Sequence, residues 1–228
     1  MILGILQTGH ASDEIRQTHG DFDSMFRRLL DGHGFDFRVF NVVDMEFPDG
    51  PAAADAWLVT GSKHGAYEDH PWIPPLEELI RAIREAERPM VGICFGHQII
   101  AQALGGRVEK FSGGWSVGRQ GYRIGGKTFH LNAWHQDQVV DLPAGAEVLG
   151  QSDFCANAVL AYGSRILTVQ PHPEFDAAIM AGLIAHRGPG IVPADQLAQA
   201  AADLPQPNDA GDIALMLADV LKKARVDA

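Results

Sequence analysis

Pro89-Met90-Val91-Gly92-Ile93-Cys94-Phe95-Gly96-His97-Gln98-Ile99-Ile100 is the stretch that decides the fold. Its first half is a run of apolar and small residues with the length of a buried strand. It delivers a cysteine bracketed by Gly92 and Gly96. A helical period begins at once, with Ile99, Ile100, Ala103 and Leu104 on one face. A strand that turns sharply into a helix, with the reactive residue at the apex, is the nucleophile-elbow pattern. The two glycines let the backbone close tightly, because a Cβ at either position would crowd the turn. The helix also aims its first N–H groups and its positive end at the sulfur, a setting that suits a reactive thiol. Pattern alone leaves a second reading open, a buried structural cysteine at the end of a core strand.

Outward from the elbow, the N-terminal side alternates strands with helices. Residues 2–6 form an apolar run, Asp21 to Asp31 has Phe22, Met25, Phe26, Leu29 and Leu30 on one helical face, and Phe35 to Val43 is a second strand. Ala56-Trp57-Leu58-Val59 is a third strand, ending in Thr60-Gly61-Ser62. A helix starting near Pro74-Pro75 follows and stops before Pro89. Nearly all-apolar strands alternating with helices predict an α/β fold with a mostly parallel sheet covered on both faces. After Gly105-Gly106 the texture changes. Residues 107–170 read as short strands separated by glycine turns, an antiparallel addition to the parallel core. Ile166 to Gln170 returns to a buried strand, and residues 176–187 resume a helical period. Pro189, Pro193, Pro205 and Pro207 break up a looser segment before an amphipathic helix from Asp212 to Arg225 with Ile213, Met216, Leu217, Val220, Leu221 and Ala224 on one face. No repeat or linker divides the chain, so one domain over residues 1–228 is expected, with a helical extension from about residue 190.

Composition narrows the function. The chain has 228 residues, 46% of them hydrophobic and 21% charged, enough for a substantial core. A net charge of −11, from 29 acidic against 18 basic residues without a basic run, speaks against nucleic acid or an anionic membrane as partner. There is no apolar stretch long enough for a membrane span, and the first residues read as a strand rather than a signal peptide. Two cysteines, Cys94 and Cys155, give no disulfide framework and fit a reducing cytoplasm. Cysteine and histidine spacing shows no zinc pattern, and no metal or cofactor is expected. The loop histidines, among them His64, His70 and His135, read as solvated, His97 as packing, and Cys155 as a small core residue. The tryptophans read as packing anchors, with Trp134 placed to line a pocket.

A working thiol needs a base and a group to orient that base. His172 lies just beyond the C-terminal end of a core strand, the edge where ligands collect in open parallel sheets. Glu174, two residues on, has the charge to hold the imidazole in one tautomer, and Pro171 and Pro173 restrict the backbone around both. The plainer reading of His-x-Glu is a solvated surface pair. Acyl transfer also needs oxyanion donors. Elbow geometry offers the N–H of Phe95, and the end of the third strand offers Gly61, which reads equally as a strand-ending turn.

The twelve residues Pro89–Ile100 resemble the nucleophile signature of the class I glutamine amidotransferases at every position. Pro171-His172-Pro173-Glu174 resembles their second signature, and the order Cys, His, Glu agrees. An α/β-hydrolase would place its acid before its histidine. The resemblance spans roughly residues 40–186 and implies a flavodoxin-like, three-layer fold. It implies Cys94 as nucleophile, His172 as general base and acid, Glu174 as orienting carboxylate, and Gly61 and Phe95 as oxyanion donors. Gln98 and the backbone around Gln136 and Asp137 fall where that family holds the two ends of glutamine. The implied reaction is hydrolysis of a γ-glutamyl amide through a γ-glutamyl thioester.

The family's multidomain members carry a synthase for which this chain has no room. The loop Thr60-Gly61-Ser62-Lys63-His64-Gly65 is also richer in side chains than the double-glycine version of synthase-linked members. With Gly113-Gly114-Trp115-Ser116-Val117-Gly118, the chain is similar to free-standing members such as the plant γ-glutamyl peptidases, and also to the amidotransferase domains of guanylate synthases. Its substrate is then glutamine or a γ-glutamyl peptide or conjugate. Two alternatives stand beside a free hydrolase: an ammonia-supplying subunit of a separate synthetase, and a non-catalytic binding module on the same fold.

Overall fold

A computed structural model describes residues 1–225. Its elements begin with β1 (Ile2–Leu6), α1 (Asp13–His19), α2 (Phe22–Leu29), β2 (Asp36–Phe40) and β3 (Ala56–Val59). Next come α3 (Ile73–Glu85), β4 (Met90–Ile93) and α4 (Phe95–Ala103). Seven strands follow: β5 (Arg107–Lys110), β6 (Ser116–Ile124), β7 (Lys127–His135), β8 (Asp137–Asp141), β9 (Ala146–Gln151), β10 (Val159–Tyr162) and β11 (Ile166–Val169). The last elements are α5 (Ala177–His186), α6 (Ala194–Asp203) and α7 (Ala210–Leu221).

Nine strands form one sheet in the order β2-β1-β3-β4-β11-β10-β9-β6-β7, and β5 pairs with β8 apart from it. The half β2-β1-β3-β4-β11 is parallel throughout. This is the flavodoxin-like order, in which the chain reverses its lateral direction at β1 and opens a crevice beyond the strands' C-terminal ends. From β11 outward the same sheet continues antiparallel. The architecture is the expected α/β fold with an antiparallel addition.

Alternation along the strands sends side chains to two apolar layers. On β3, Trp57 and Val59 face a cluster built with Leu76, Ile80 and Ile83 of α3 and Phe95, Ile99 and Ile100 of α4. Ala56 and Leu58 face the opposite cluster, built with Phe26 of α2 and Ile213, Leu217 and Leu221 of α7. Burying each such side chain stabilises the fold by ~1.5–3 kcal/mol. The two layers hold the sheet's C-terminal edge rigid, and every candidate residue except the Gln136–Asp137 pair hangs from that edge.

Four sequence expectations need correction. The stretch Ala194–Asp203 among the prolines is a helix, α6, and not loose chain; Pro193 serves as its N-cap. Residues Asp13–His19 form a helix that periodicity does not show, because Ile15 is its one buried residue. The second strand stops at Phe40, and Val42–Asp44 closes into a 3-10 turn. The final helix ends at Leu221 and continues as a 3-10 turn to Arg225; the side chain of Ala224 lies outside the described residues.

Candidate active site

Three strand ends meet at the crevice. β4 ends at Cys94, β11 leads to His172, and β3 leads to Gly61. Cys94 sits between β4 and α4 at φ 52° and ψ −103°, a conformation that side-chain-bearing residues avoid. Its N–H donates to the Val169 carbonyl at 2.9 Å, and its carbonyl accepts from Gln98 N at 3.0 Å. The apex is thus locked to β11 on one side and to the helix on the other. Such strain costs on the order of 1–3 kcal/mol and persists where the surroundings over-determine it.

That strain can be measured. Cys94→Gly, free to adopt the positive φ, is expected to be more stable than Cys94→Ala by about 1 kcal/mol, the relief exceeding glycine's extra chain entropy. In thermal denaturation this is a melting point about 2–4 °C higher for the glycine variant. A glycine variant that melts below the alanine one would mean that the apex is relaxed.

Sterics, not φ, explain the flanking glycines. A Cβ on Gly92 would meet the Gly96 carbonyl oxygen at 2.5 Å, and one on Gly96 would meet the Val59 carbonyl oxygen at 2.2 Å. Helix α4 therefore lies directly on β3. That contact holds the start of α4 against the end of β3, the strand that leads to Gly61. The Phe95 N–H opens α4 and has no intrahelical acceptor. Gly61 is clamped from behind by the hydroxyls of Thr8 and Thr60, both donating to its carbonyl at 3.0 Å. Its free face looks at the other two strand ends: a Cβ there would come within 3.0 Å of His172 Cε1 and 3.9 Å of Cys94 Cβ.

His172 and Glu174 are not a solvated pair. Both are buried, and His172 Nδ1–H donates to Glu174 Oε1 at 2.7 Å. The ring stacks on Phe175 at 3.9 Å and 4°, and the His172 N–H is bonded to the Asn132 carbonyl of β7 at 2.8 Å. Burial by itself lowers the imidazolium's pKa, but the charge of Glu174 and a hydrogen bond to Cys94 outweigh it and hold the pKa well above the ordinary value. With Nδ1 committed to Glu174, Nε2 is the nitrogen left for Cys94.

Cys94 and His172 open into a cavity of about 600 Å³, the size of a small-molecule site. Gln98, Gln136 and Asp137 line it as well. Gln98 Nε2 donates to the Asp137 carbonyl at 2.9 Å and to Gln170 Oε1 at 3.2 Å, and Gln136 Nε2 donates to the Phe111 carbonyl at 3.2 Å. Burial raises the Asp137 carboxyl, with Tyr67 hydrogen-bonded to it. Gly61, Phe95 and Glu174 stand behind the wall. All eight residues singled out from the sequence therefore come together. The cavity has two chemistries: a polar side with His64, Tyr67, Glu68, Gln98 and Asp137, and a largely apolar side with Ile15, Phe22, Met25, Trp115, Trp134 and Phe175, where α1 and the end of α5 also bring Arg16 and Arg187 to the lining.

Sequence reasoning missed two features here. His135, read as a solvated loop histidine, ends β7 inside the protein and lines the cavity. Burial pushes its imidazole down to about 3. His97 is likewise neutral, pushed down to about 3 by burial, with Nδ1 at 2.8 Å from Thr168 Oγ1. Neutral rings add no second positive charge beside His172. The other feature is the apolar side of the cavity, assembled from α1, α2, β7 and the segments leading into β6 and α5, which no local motif announces.

The family profile described as Glutamine amidotransferase class-I matches residues 53–182. The chain is 30% identical over 186 residues to gamma-glutamyl peptidase 5 of Arabidopsis thaliana, covering 75% of this chain and 74% of that protein. It is 29% identical over 166 residues to a glutamine-hydrolyzing GMP synthase subunit of Halobacterium salinarum, covering 68% of this chain and 85% of that protein. The solved glutamine amido transferase of Methylobacillus flagellatus shares the fold with a TM-score of 0.73 at 19% identity, covering 97% of this chain and 91% of that one.

Proposed function

This chain belongs to the class I glutamine amidotransferases, and we propose that it hydrolyses a γ-glutamyl amide by cysteine catalysis. The observation that carries the reading is the buried His172–Glu174 pair bonded at 2.7 Å and turned toward a strained cysteine. In the first step the Cys94 thiol passes its proton to His172 Nε2, its sulfur attacks the γ-carbonyl carbon, and the C–N bond breaks. His172 gives its proton to the leaving nitrogen, and a γ-glutamyl thioester remains on Cys94. In the second step His172 takes a proton from water. The resulting nucleophile attacks the thioester, glutamate leaves, and the thiol is restored. Glu174 keeps the imidazole in one tautomer and balances its charge. The N–H groups of Gly61 and Phe95 hold the developing oxyanion, where loss of one donor typically costs about 3–4 kcal/mol of barrier. Gln98, Gln136 and Asp137 hold the α-amino and α-carboxylate ends. The unpaired thiols Cys94 and Cys155 suit the cytoplasm as the place of action.

The apolar side of the cavity favours a substituted amide over free glutamine, whose leaving group is only ammonia. Each buried methylene of a leaving amine is worth ~0.8 kcal/mol. Assayed for ammonia and amine release, γ-glutamyl dipeptides with bulky apolar second residues are expected to exceed glutamine by at least about tenfold in kcat/KM. Turnover of neither glutamine nor any γ-glutamyl compound would remove the proposal; faster turnover of glutamine would remove its preference for a substituted amide. The second reading, that the chain feeds ammonia to a separate synthetase, is favoured by the similarity to the GMP synthase protein. It expects weak glutaminase activity that rises sharply when the partner is added.

A further inference from the structure

Between β3 and α3 the chain folds over the polar side of the cavity, and three side chains that the proposed reaction does not use converge there. His70 Nε2 lies 2.7 Å and His64 Nδ1 3.3 Å from the same oxygen, Glu68 Oε2. One ligand atom from each of the three residues lies within 4.8 Å of the other two. Trp72 fixes both rings: it stacks on His70 at 5.8 Å and 11°, and meets His64 edge-on at 5.8 Å and 65°. The backbone is pinned as well. Glu68 N–H donates to the Gly65 carbonyl, His70 N–H to the Glu68 carbonyl, and His64 N–H to Ser62 Oγ, at 3.1, 3.1 and 3.2 Å.

We propose that His64, Glu68 and His70 form a binding site for a divalent transition-metal ion of the zinc type at the cavity rim. Two imidazole nitrogens and one carboxylate oxygen are a donor set that suits zinc, cobalt or nickel. Magnesium and calcium prefer oxygen alone. Ligand atoms about 2.0–2.1 Å from a tetrahedral zinc stand about 3.3 Å apart, and the two contacts to Glu68, at 2.7 and 3.3 Å, are already near that spacing. Such an ion would replace the two N–H···O contacts that tie the rings to Glu68. His64 and Glu68 also line the cavity that holds Cys94. A bound cation therefore adds positive charge to its wall, with remaining positions open to water or to a carboxylate. Through Trp72, which packs on Phe95 at 5.5 Å, the site also touches the residue after the candidate nucleophile.

The test uses cobalt(II) and the full chain carrying Cys94→Ala, which removes the cavity thiol and frees the result from any assumption about hydrolysis. One cobalt per chain is expected, with micromolar or tighter affinity, the visible d–d absorption of a nitrogen–oxygen site, and displacement by zinc. Glu68→Gln and His70→Ala, each checked for folding by circular dichroism, should weaken binding at least about tenfold, the scale that even outer-shell partners carry. In the protein with all three ligands intact, the paramagnetic ion should broaden the ring signals of His64 and His70. The proposal is overturned if one-to-one binding is absent below millimolar cobalt or if both variants bind like their parent. Broadening at a histidine outside the cavity, such as His130, with His64 and His70 left sharp, would overturn it too.

Discussion

Cys94→Ala is expected to lower kcat/KM for a γ-glutamyl amide by about 10⁴-fold or more, because the members of a nucleophile–base pair act as one unit. The remaining groups cannot form the thioester. Oxyanion donors and binding contacts would leave only a residual advantage over water. Folding should be nearly untouched. The side chain is small and 5% exposed, the strained backbone persists with alanine, and the His172–Glu174 bond does not depend on the sulfur. A melting temperature within a few degrees of the parent, together with lost turnover, is therefore the expected pair of results. Retained turnover in a folded variant would exclude a covalent role for this residue.

Gly96→Ala is the stability counterpart. The added methyl would sit 2.2 Å from the Val59 carbonyl oxygen and 2.8 Å from its carbon. Both are backbone atoms of a central strand and cannot rotate away. Helix α4 would have to lift off β3, opening the Phe95 and Ile99 packing and separating the two oxyanion candidates. Overpacking of this severity is expected to cost about 3 kcal/mol or more. For a chain of this size that lowers the melting temperature by about 6–12 °C. Gly211 in α7 supplies the contrast, since a Cβ there meets nothing within 4 Å. Gly211→Ala should be neutral or stabilising by up to about 1 kcal/mol. Equal melting curves for the two variants would contradict the close α4–β3 contact.

What was legible in the sequence was whatever leaves a local periodic or motif signal. The parallel half was readable because its strands are short unbroken apolar runs and α3 repeats Leu76, Leu79, Ile80 and Ile83 at helical spacing. The elbow was readable because two glycines and a change of period flank one cysteine. His172 and Glu174 were readable because they follow a buried strand directly. α1 and α6 were not. Each buries a single residue, Ile15 and Ala200, and α6 docks through the notch that Gly118 leaves for Ala200. α1 has only seven residues, too few to show a hydrophobic period, and α6 is rich in alanine between prolines, with few large apolar residues to mark its packed face. The burial of His135 was equally hidden, because it depends on β7 crossing back to the site from the far edge of the sheet. The His64, Glu68 and His70 grouping is a loop property that spacing does not encode.

The most direct test of the central claim, that Cys94 forms a covalent γ-glutamyl adduct, is mass analysis of the protein after reaction with a glutamine-analogue electrophile. One adduct per chain is expected on the peptide carrying Cys94, and an excess of γ-glutamyl substrate should protect it. Cys155 should stay unmodified, since it is fully buried and burial pushes its thiol up to about 12. Labelling of Cys155 instead, or no labelling of Cys94 in protein that turns over substrate, would contradict the account.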